Sequence, residues 1–300
     1  MGKAEFLKEI KNRGVAFACD EPMKKHTTFK IGGNADIFVS VRSEEELIFC
    51  VDAAKRTGTD YYIIGNGSDL LVSDNGVEGA VICLEKMRGI SIDGGRVTVC
   101  AGQGMQSLCT ALYKSSLSGL EFAYGIPGTV GGAVYMNAGA YGGEIKDCIV
   151  SARYLDKNGE VKEISKDEME LSYRKSVFQQ NGGIILSAVF CLKEDKGEDI
   201  AGRMADYLSR RKEKQPLEFP SAGSVFKRPE GNFAGTLIEK SGLKGERIGG
   251  AAVSEKHAGF IVNTGGATCK DVKSLIEKIQ EKVFLDTGIK LRTEVIFIGR

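Results

Sequence analysis

No Cys-x-x-Cys pair occurs among the eight cysteines, Cys19, Cys50, Cys83, Cys100, Cys109, Cys148, Cys191 and Cys269. Most of them sit in apolar runs such as Val81-Ile82-Cys83-Leu84 and Val97-Thr98-Val99-Cys100. That usage speaks against a zinc site or a disulfide frame and for small core side chains in a reducing compartment. Long hydrophobic runs are missing, and no stretch approaches the length that spans a bilayer. The opening residues Met1 to Glu9 lack the apolar centre of a signal peptide and the Ser or Thr of a myristoylation signal. A cytoplasmic protein without a membrane partner is expected. Charge of one sign is also missing: 41 Lys plus Arg stand against 40 Asp plus Glu. That balance leaves no electrostatic footprint for nucleic acid and favours a small-molecule partner. Proline is scarce at 5, and the only histidines are His26 and His257. No metal site is expected, and His257 reads as structural.

Glycine is abundant: 39 of 300 residues, nearly twice the usual share of about 7%. In an ordinary globular chain this suggests backbone brought close to a ligand. A chain of this length can bury roughly three quarters of its unfolded surface, so it needs no staples. Periodicity predicts a helix over residues 3–13 ending at Gly14, then a strand over 35–41. A helix opened by a Ser43/Glu46 capping box follows and closes at Gly58 before a strand at Tyr61-Tyr62-Ile63-Ile64. Gly94-Gly95 marks a hairpin, Met105 to Ser116 a helix, and Ile149 to Leu155, Val161 to Ile164 and Ile184 to Leu192 antiparallel strands. Lys193 to Asp199 is the best linker candidate. Beyond it, Val272, Leu275, Ile276, Ile279 and Val283 form the apolar face of a helix capped at Thr268, and Thr293 to Ile298 reads as a strand. The pattern is α+β, with two lobes forming one site and a third covering it.

Two stretches concentrate the glycine. One is Gly65-Asn66-Gly67-Ser68-Asp69-Leu70, directly after a strand. The other runs from Gly125 to Gly143 and holds seven glycines in nineteen residues. Successive backbone N–H groups with side-chain donors from Ser68, Thr129 and Asn137 can converge on a pyrophosphate. Neither stretch is a Rossmann G-x-G-x-x-G or a P-loop. The shorter one reads more readily as a tight turn, whereas the longer one loses more folding entropy than a plain turn would require.

Several runs together resemble one family: Thr27-Thr28-Phe29-Lys30-Ile31-Gly32-Gly33, Gly65 to Val72, Ile126-Pro127-Gly128-Thr129-Val130-Gly131-Gly132-Ala133, Asn137-Ala138-Gly139-Ala140-Tyr141-Gly142, Ser172-Tyr173-Arg174-Lys175-Ser176, Pro220 to Lys227, His257 to Asn263 and Leu291 to Val295. Their order is that of the UDP-N-acetylenolpyruvoylglucosamine reductases, also called UDP-N-acetylmuramate dehydrogenases. Two departures are Asn34, where many relatives have Pro, and Asp69, where Asn is common. The short path from Arg174 to Ile184 resembles the shorter subclass, which lacks an extra tyrosine-bearing loop.

The resemblance implies a two-lobed FAD-binding domain of the vanillyl-alcohol-oxidase (PCMH) type over 30–194, with lobes of about 30–90 and 91–194. An N-terminal helix and lead-in over 1–29 precede it, and an α+β substrate-binding domain over 195–300 follows. It implies noncovalent FAD, NADPH as co-substrate, and an NADP-dependent oxidoreductase. Its reaction reduces the enolpyruvyl ether of UDP-N-acetylglucosamine to UDP-N-acetylmuramate in peptidoglycan synthesis, and so serves cell-wall biogenesis, cell shape and cell division. A monomer is expected. The cofactor positions carried over are Ile31, Gly65, Asn66, Gly67, Ser68, Asp69, Leu70, Gly125, Ile126, Pro127, Gly128, Thr129, Gly131, Gly132, Ala133, Asn137, Gly139 and Ala140. Arg174 matches the residue that holds the substrate carboxylate, Ser224 the proton donor and Glu294 a hydrogen-bonding partner of the intermediate. Tyr173, Lys214 and Arg228 are substrate-binding candidates. From spacing alone Arg174 reads as a surface ion pair, Ser224 as a strand-edge serine, Glu294 as a solvated carboxylate and 210–214 as a solvated helix end. Two other functions fit the same flavin fold: an FAD-dependent alcohol or sugar oxidase, and a binding module without chemistry.

Overall fold

The computed structural model describes residues 2–300. The chain divides into two compact units. The first comprises the residues up to Ala18, Ile37–Asn66 and Gly79–Arg211; the second comprises Cys19–Asp36, Gly67–Glu78 and Lys212–Arg300.

The first unit begins with the helix Gly2–Arg13, whose buried Phe6 and Ile10 join the same core as Leu47, Cys50, Val51 and Ala54 of the helix Glu44–Thr57. Ser43 caps that second helix by accepting from the Glu46 amide. The Glu46 carboxylate accepts from the Arg42 amide at 2.8 Å, so the reciprocal half of the capping box reaches one residue further back than expected. Gly58, at φ +64°, ends the helix, as a residue without a Cβ can. Tyr61–Ile64 then pairs in parallel with Val77–Cys83.

A five-stranded antiparallel sheet follows, in the order Val161–Ser165, Ile149–Leu155, Ile184–Cys191, Arg96–Cys100, Ile90–Asp93. Val97 and Val99, Ala188 and Phe190 alternate along their strands and, with Ala152 and Leu155 on either side of a register irregularity, are buried in one core with Leu108 and Leu112 of the helix Met105–Lys114. Each large side chain so buried contributes about 1.5–3 kcal/mol, and Phe190, at 0% exposure, would cost about 3–5 kcal/mol on truncation to Ala.

The expected linker over Lys193 to Asp199 is structured. Lys193–Glu194 pairs with Leu117–Ser118, and a helix starts at Gly197 and runs to Lys214. Charges that read as solvated linker are used locally. Asp195 accepts from Arg203, which also binds the buried Glu121. Glu198 and Asp199 lie in the first helical turn, where carboxylates oppose the positive end of the helix dipole.

The second unit holds an antiparallel sheet ordered Ser221–Ser224, Phe260–Asn263, Ala251–Val253, Arg247–Ile248. Its long helix, Cys269–Thr287, is closed by a full capping box at Thr268 and Asp271 and by Gly288 at φ +71°. Val272, Leu275, Ile276, Ile279 and Val283 are buried on one face, as the periodicity predicts. The last strand is shorter than expected. Only Ile296–Ile298 pairs, in parallel, with Leu70–Val72. Just before it, Thr293 bridges Phe226 and the Glu294 amide donates to the Val225 carbonyl, so the run changes partners midway. No helix among the described residues is long and apolar enough to cross a membrane.

Candidate active site

In the first unit the two glycine stretches are fastened together. The Asn66 side-chain amide donates to the Pro127 carbonyl at 2.9 Å. A Cβ on Gly65 would stand 2.3 Å from Thr129 Oγ1, so only glycine lets the strand end approach that loop. Thr129 is buried and caps the helix Val130–Tyr135 through the Gly132 amide. Gly131 lies against Ala101, where a Cβ would come within 2.9 Å of the alanine Cβ. The amides of Asn66, Gly128 and Thr129 have no hydrogen-bond partner among the described residues, and the buried Asn66 Oδ1 has none either. Donors and an acceptor left open on converging loops fit the phosphates and hydroxyls of a flavin nucleotide. Ile126, Ala133, Gly139 and Ala140 are carried on the same framework. Ile126 and Ala133 pack on the first unit's core, and Gly139–Ala140 forms a ladder with Gly143–Glu144.

Asn137 behaves differently from the other cofactor candidates. It is fully buried in a left-handed conformation at φ +41°. Its Nδ2 donates to Glu144 Oε2 and to the Ser172 carbonyl, both at 3.0 Å, and its Oδ1 accepts from the Lys146 amide at 2.9 Å. That side chain orders protein, and it does so next to Arg174. Arg174 occupies the tight turn in which Ser172 and Lys175 exchange backbone hydrogen bonds, at a left-handed φ of +53° that is uncommon for a non-glycine residue. Around the turn, Ser176 Oγ donates to the Tyr135 carbonyl at 2.7 Å and Gln179 Nε2 to the carbonyls of Tyr135 and Arg174. The Arg174 guanidinium reaches the Gly139 carbonyl at 3.5 Å and lies over the Tyr173 ring, 5.1 Å from its centre. From there to Ile184 the path is one helical turn, Phe178–Asn181, and a glycine pair.

One residue of this unit escaped the sequence reading. Arg211 belongs to the run 210–214 read as a solvated helix end. Its guanidinium has no hydrogen bond or ion pair among the described residues, and burial lowers its pKa. A Cβ on Gly125 would sit 2.7 Å from Arg211 Cδ, so the side chain lies along the second glycine loop. Nearby Tyr141 and Tyr207 stack at 4.9 Å with 12° between their planes. A desolvated cation without an anion is costly unless a ligand supplies one. The signal available in sequence was the seven-residue interval from Arg211 back to Met204 on the buried side of that helix, which polar neighbours hide.

In the second unit Ser224 ends its strand opposite Phe260, just after Gly223 at φ +77°. Val225 binds Glu294 and Gly259 at once: its carbonyl accepts from the Glu294 amide at 2.7 Å, and its amide donates to the Gly259 carbonyl at 2.9 Å. The fold therefore brings Ser224 and Glu294, seventy positions apart in sequence, onto adjoining backbone segments. Glu294 and Ser224 are both half-buried. Arg228 is exposed with its guanidinium 4.8 Å above the Phe233 ring, and Lys214 is exposed. Gly67 meets the lead-in, its carbonyl accepting from the Thr28 amide at 3.2 Å. Ser68 is half-buried, Asp69 accepts through its carbonyl from the Ile296 amide, and Leu70 pairs with Ile296. The side chain of Ile31 is 2% exposed in the core with Phe29 and Leu71, which leaves only its backbone to face a ligand. Among the described residues no group of three or more His, Cys, Asp and Glu is placed to hold a metal ion.

Comparison with known proteins gives this arrangement a context. Residues 35–165 match the family model of an FAD binding domain, and residues 215–298 match that of the UDP-N-acetylenolpyruvoylglucosamine reductase C-terminal domain. The chain is 51% identical over 280 residues to UDP-N-acetylenolpyruvoylglucosamine reductase of Clostridium botulinum (strain Hall), covering 93% of this chain and 92% of that one. It is 48% identical to the enzyme of the same name from Lachnoclostridium phytofermentans, over 98% and 97% of the two chains. The crystal structure of UDP-N-acetylenolpyruvylglucosamine reductase from Thermus caldophilus superposes with a TM-score of 0.81 at 37% identity, over 95% of this chain and 98% of that one. An alkyldihydroxyacetonephosphate synthase shares the fold of 64% of this chain and 40% of its own, at a TM-score of 0.51 and 19% identity. The α+β pairing of a PCMH-type flavin domain with a C-terminal domain thus stands as expected, and the chain belongs to the UDP-N-acetylenolpyruvoylglucosamine reductase family.

Proposed function

We propose that this oxidoreductase reduces the enolpyruvyl ether of UDP-N-acetylglucosamine to UDP-N-acetylmuramate, with Arg174, Ser224 and Glu294 as its catalytic residues. Held at Asn66, Gly128 and Thr129, FAD would supply the hydride chemistry that links NADPH to the terminal carbon of the enolpyruvyl group. The protein's task is the charge that this addition leaves on the α-carbon and carboxylate. Arg174 holds the carboxylate with its fork of N–H donors and keeps its charge throughout. Ser224 Oγ gives its proton to the α-carbon, and Glu294 hydrogen-bonds the intermediate. Such general-acid help is worth about 10²- to 10⁴-fold. Lys214 and Arg228 hold the UDP pyrophosphate, and Tyr173 adds a hydrogen bond to the substrate. Asn66, Gly128 and Thr129 take the flavin nucleotide, while Arg211 offers its cation to an electron-rich edge of the ligand bound along Gly125. The lobes over 30–90 and 91–194 and the domain over 195–300 divide these tasks between cofactor and substrate. The enzyme acts in the cytoplasm, as a monomer, in peptidoglycan precursor synthesis.

The observation that carries this reading is the Arg174 turn. A non-glycine residue at φ +53° is held by Asn137, Ser176 and Gln179, and backbone strain over-determined by its surroundings is a mark of functional positions. The test is anaerobic. NADPH is added to the holoenzyme until the flavin absorbance bleaches, and the enolpyruvyl UDP-sugar follows. Return of the oxidised spectrum is expected; a flavin that stays reduced until oxygen is admitted would replace the reductase by an oxidase.

A further inference from the structure

We propose that His257, through the acceptor lone pair of its neutral ring, is a positioning residue that sets the backbone carrying Ser224 and Glu294 for proton delivery. This rests on the proton-donor role given to Ser224 above. His257 Nδ1 accepts from the Gly259 amide at 3.1 Å, which places the neutral ring's proton on Nε2. The Gly259 carbonyl accepts from the Val225 amide at 2.9 Å, and the Val225 carbonyl from the Glu294 amide at 2.7 Å. One unbroken relay of backbone hydrogen bonds therefore joins the imidazole to the neighbour of Ser224 and to Glu294 itself.

The ring is held on several sides. Phe260 meets it edge-on at 4.9 Å, the Ser254 hydroxyl accepts from the His257 amide at 3.2 Å, and a Cβ on Gly235 would come within 3.3 Å of Cε1, so the helix Ala234–Lys240 packs on it. The charged groups acting on the ring are Lys244 and Glu239, themselves paired at 2.6 Å, while its chain neighbours Glu255 and Lys256 are exposed. Burial favours the neutral ring and lowers its pKa; a hydrogen bond to its own backbone opposes this, Lys244 adds to the lowering, and Glu239 opposes it least. A proton on Nδ1 would set two donors face to face where one hydrogen bond stood. Gly259 must then turn, and Val225 and Ser224 with it; a shift of about 1 Å at a reacting group can cost about 10²-fold.

The experiment uses NADPH-reduced holoenzyme, mixed anaerobically with the enolpyruvyl UDP-sugar in a stopped-flow instrument from about pH 5 to about pH 8. For the unaltered enzyme, flavin reoxidation should slow about tenfold per pH unit on the acid side, below the ordinary histidine range near 6.5. His257→Asn, whose Oδ1 can accept from Gly259 without titrating, should keep the neutral rate and lose the acid limb. His257→Phe fills the space without an acceptor, and should slow reoxidation by about 10²-fold at every pH while reduction by NADPH stays normal. An acid limb unchanged in His257→Asn overturns the proposal, as does a normal reoxidation rate in a folded His257→Phe. An unaltered enzyme that cannot be reoxidised by the sugar at any pH refutes the reductase reading first, and this proposal falls with it. If His257→Phe does not fold, the amide of Gly259 decides. In the unaltered enzyme its NMR resonance should titrate together with the His257 ring, and independent titration of the two overturns the relay.

Discussion

Gly65→Ala tests whether the two glycine loops must touch for the flavin to bind. A Cβ at that position would stand 2.3 Å from Thr129 Oγ1, 3.1 Å from its Cγ2 and 3.2 Å from its Cβ. Thr129 is 2% exposed and cannot swing into solvent. Relief requires either that the strand end withdraw or that the threonine rotate away from the Gly132 amide, now 3.4 Å from its Oγ1. Overpacking of this kind costs about 1–3 kcal/mol, and loss of a helix cap about 1 kcal/mol. A total of about 2–4 kcal/mol, expressed in binding, corresponds to flavin affinity weakened by about thirtyfold or more. In a Thr129→Ala background the two nearest obstacles are gone and the remaining contact is the Cβ at 3.2 Å, which a shift of a few tenths of an ångström relieves, so the same substitution should cost less there, about 1 kcal/mol. The assay is a double-mutant cycle of FAD titrations on the apoprotein, with thermal unfolding in parallel. Additive effects of Gly65→Ala and Thr129→Ala would refute the argument, because residues that do not press on one another show no coupling.

Ser224→Ala should leave bleaching of the flavin by NADPH near normal and slow its reoxidation by the enolpyruvyl sugar by about 10²- to 10⁴-fold; an unchanged stopped-flow rate removes Ser224 from proton delivery. For Arg174→Lys a severe loss of kcat is expected despite the retained charge, since an ammonium lacks the bidentate fork, and wild-type turnover would contradict it. Asn137→Ala deletes three hydrogen bonds of a fully buried side chain. It should lower stability by about 2–4 kcal/mol and lower kcat in the surviving fold, measured by urea unfolding and steady-state assay. Burial pushes the Glu121 carboxyl up, but Arg203 and the Gly119 amide outweigh that and hold it below its ordinary value of 4.5. The unfolded chain therefore takes up this proton first. The stabilisation is present above that ordinary value and is lost as the pH falls through the lowered one. Melting temperature should fall less steeply with acid in Glu121→Gln than in the unaltered protein, and parallel curves would dismiss the ion pair.

Much was legible in the order of residues because it depends on near neighbours. The 3.6-residue apolar period of Val272 to Val283, the cap at Thr268 and the hairpin glycine at 94 are local matters, and the structure repeats them. Segments whose charges find partners far along the chain were misread. Lys193 to Asp199 reads as a linker because the Ser116 carbonyl, which accepts from the Asp195 amide, and Glu121, which shares Arg203 with Asp195, lie far back along the chain. Arg211 was hidden for the opposite reason, since charged neighbours at 210 and 212–214 are exposed while it alone is drawn against Gly125.

Ser224, Glu294 and Arg174 were nameable only through resemblance, for nothing in their spacing distinguishes them from surface polar residues. What the sequence determined by itself was the α+β pattern, the two glycine-rich stretches and, through its ordered motifs, the family. Only the tertiary structure decided which groups act as a set: the Arg174 turn clamped by Asn137, and the relay from His257 through Gly259 and Val225 to Glu294. The physical reason is that hydrogen bonds are directional and reach about 3 Å, so a partnership between residues tens of positions apart exists only once the chain is packed.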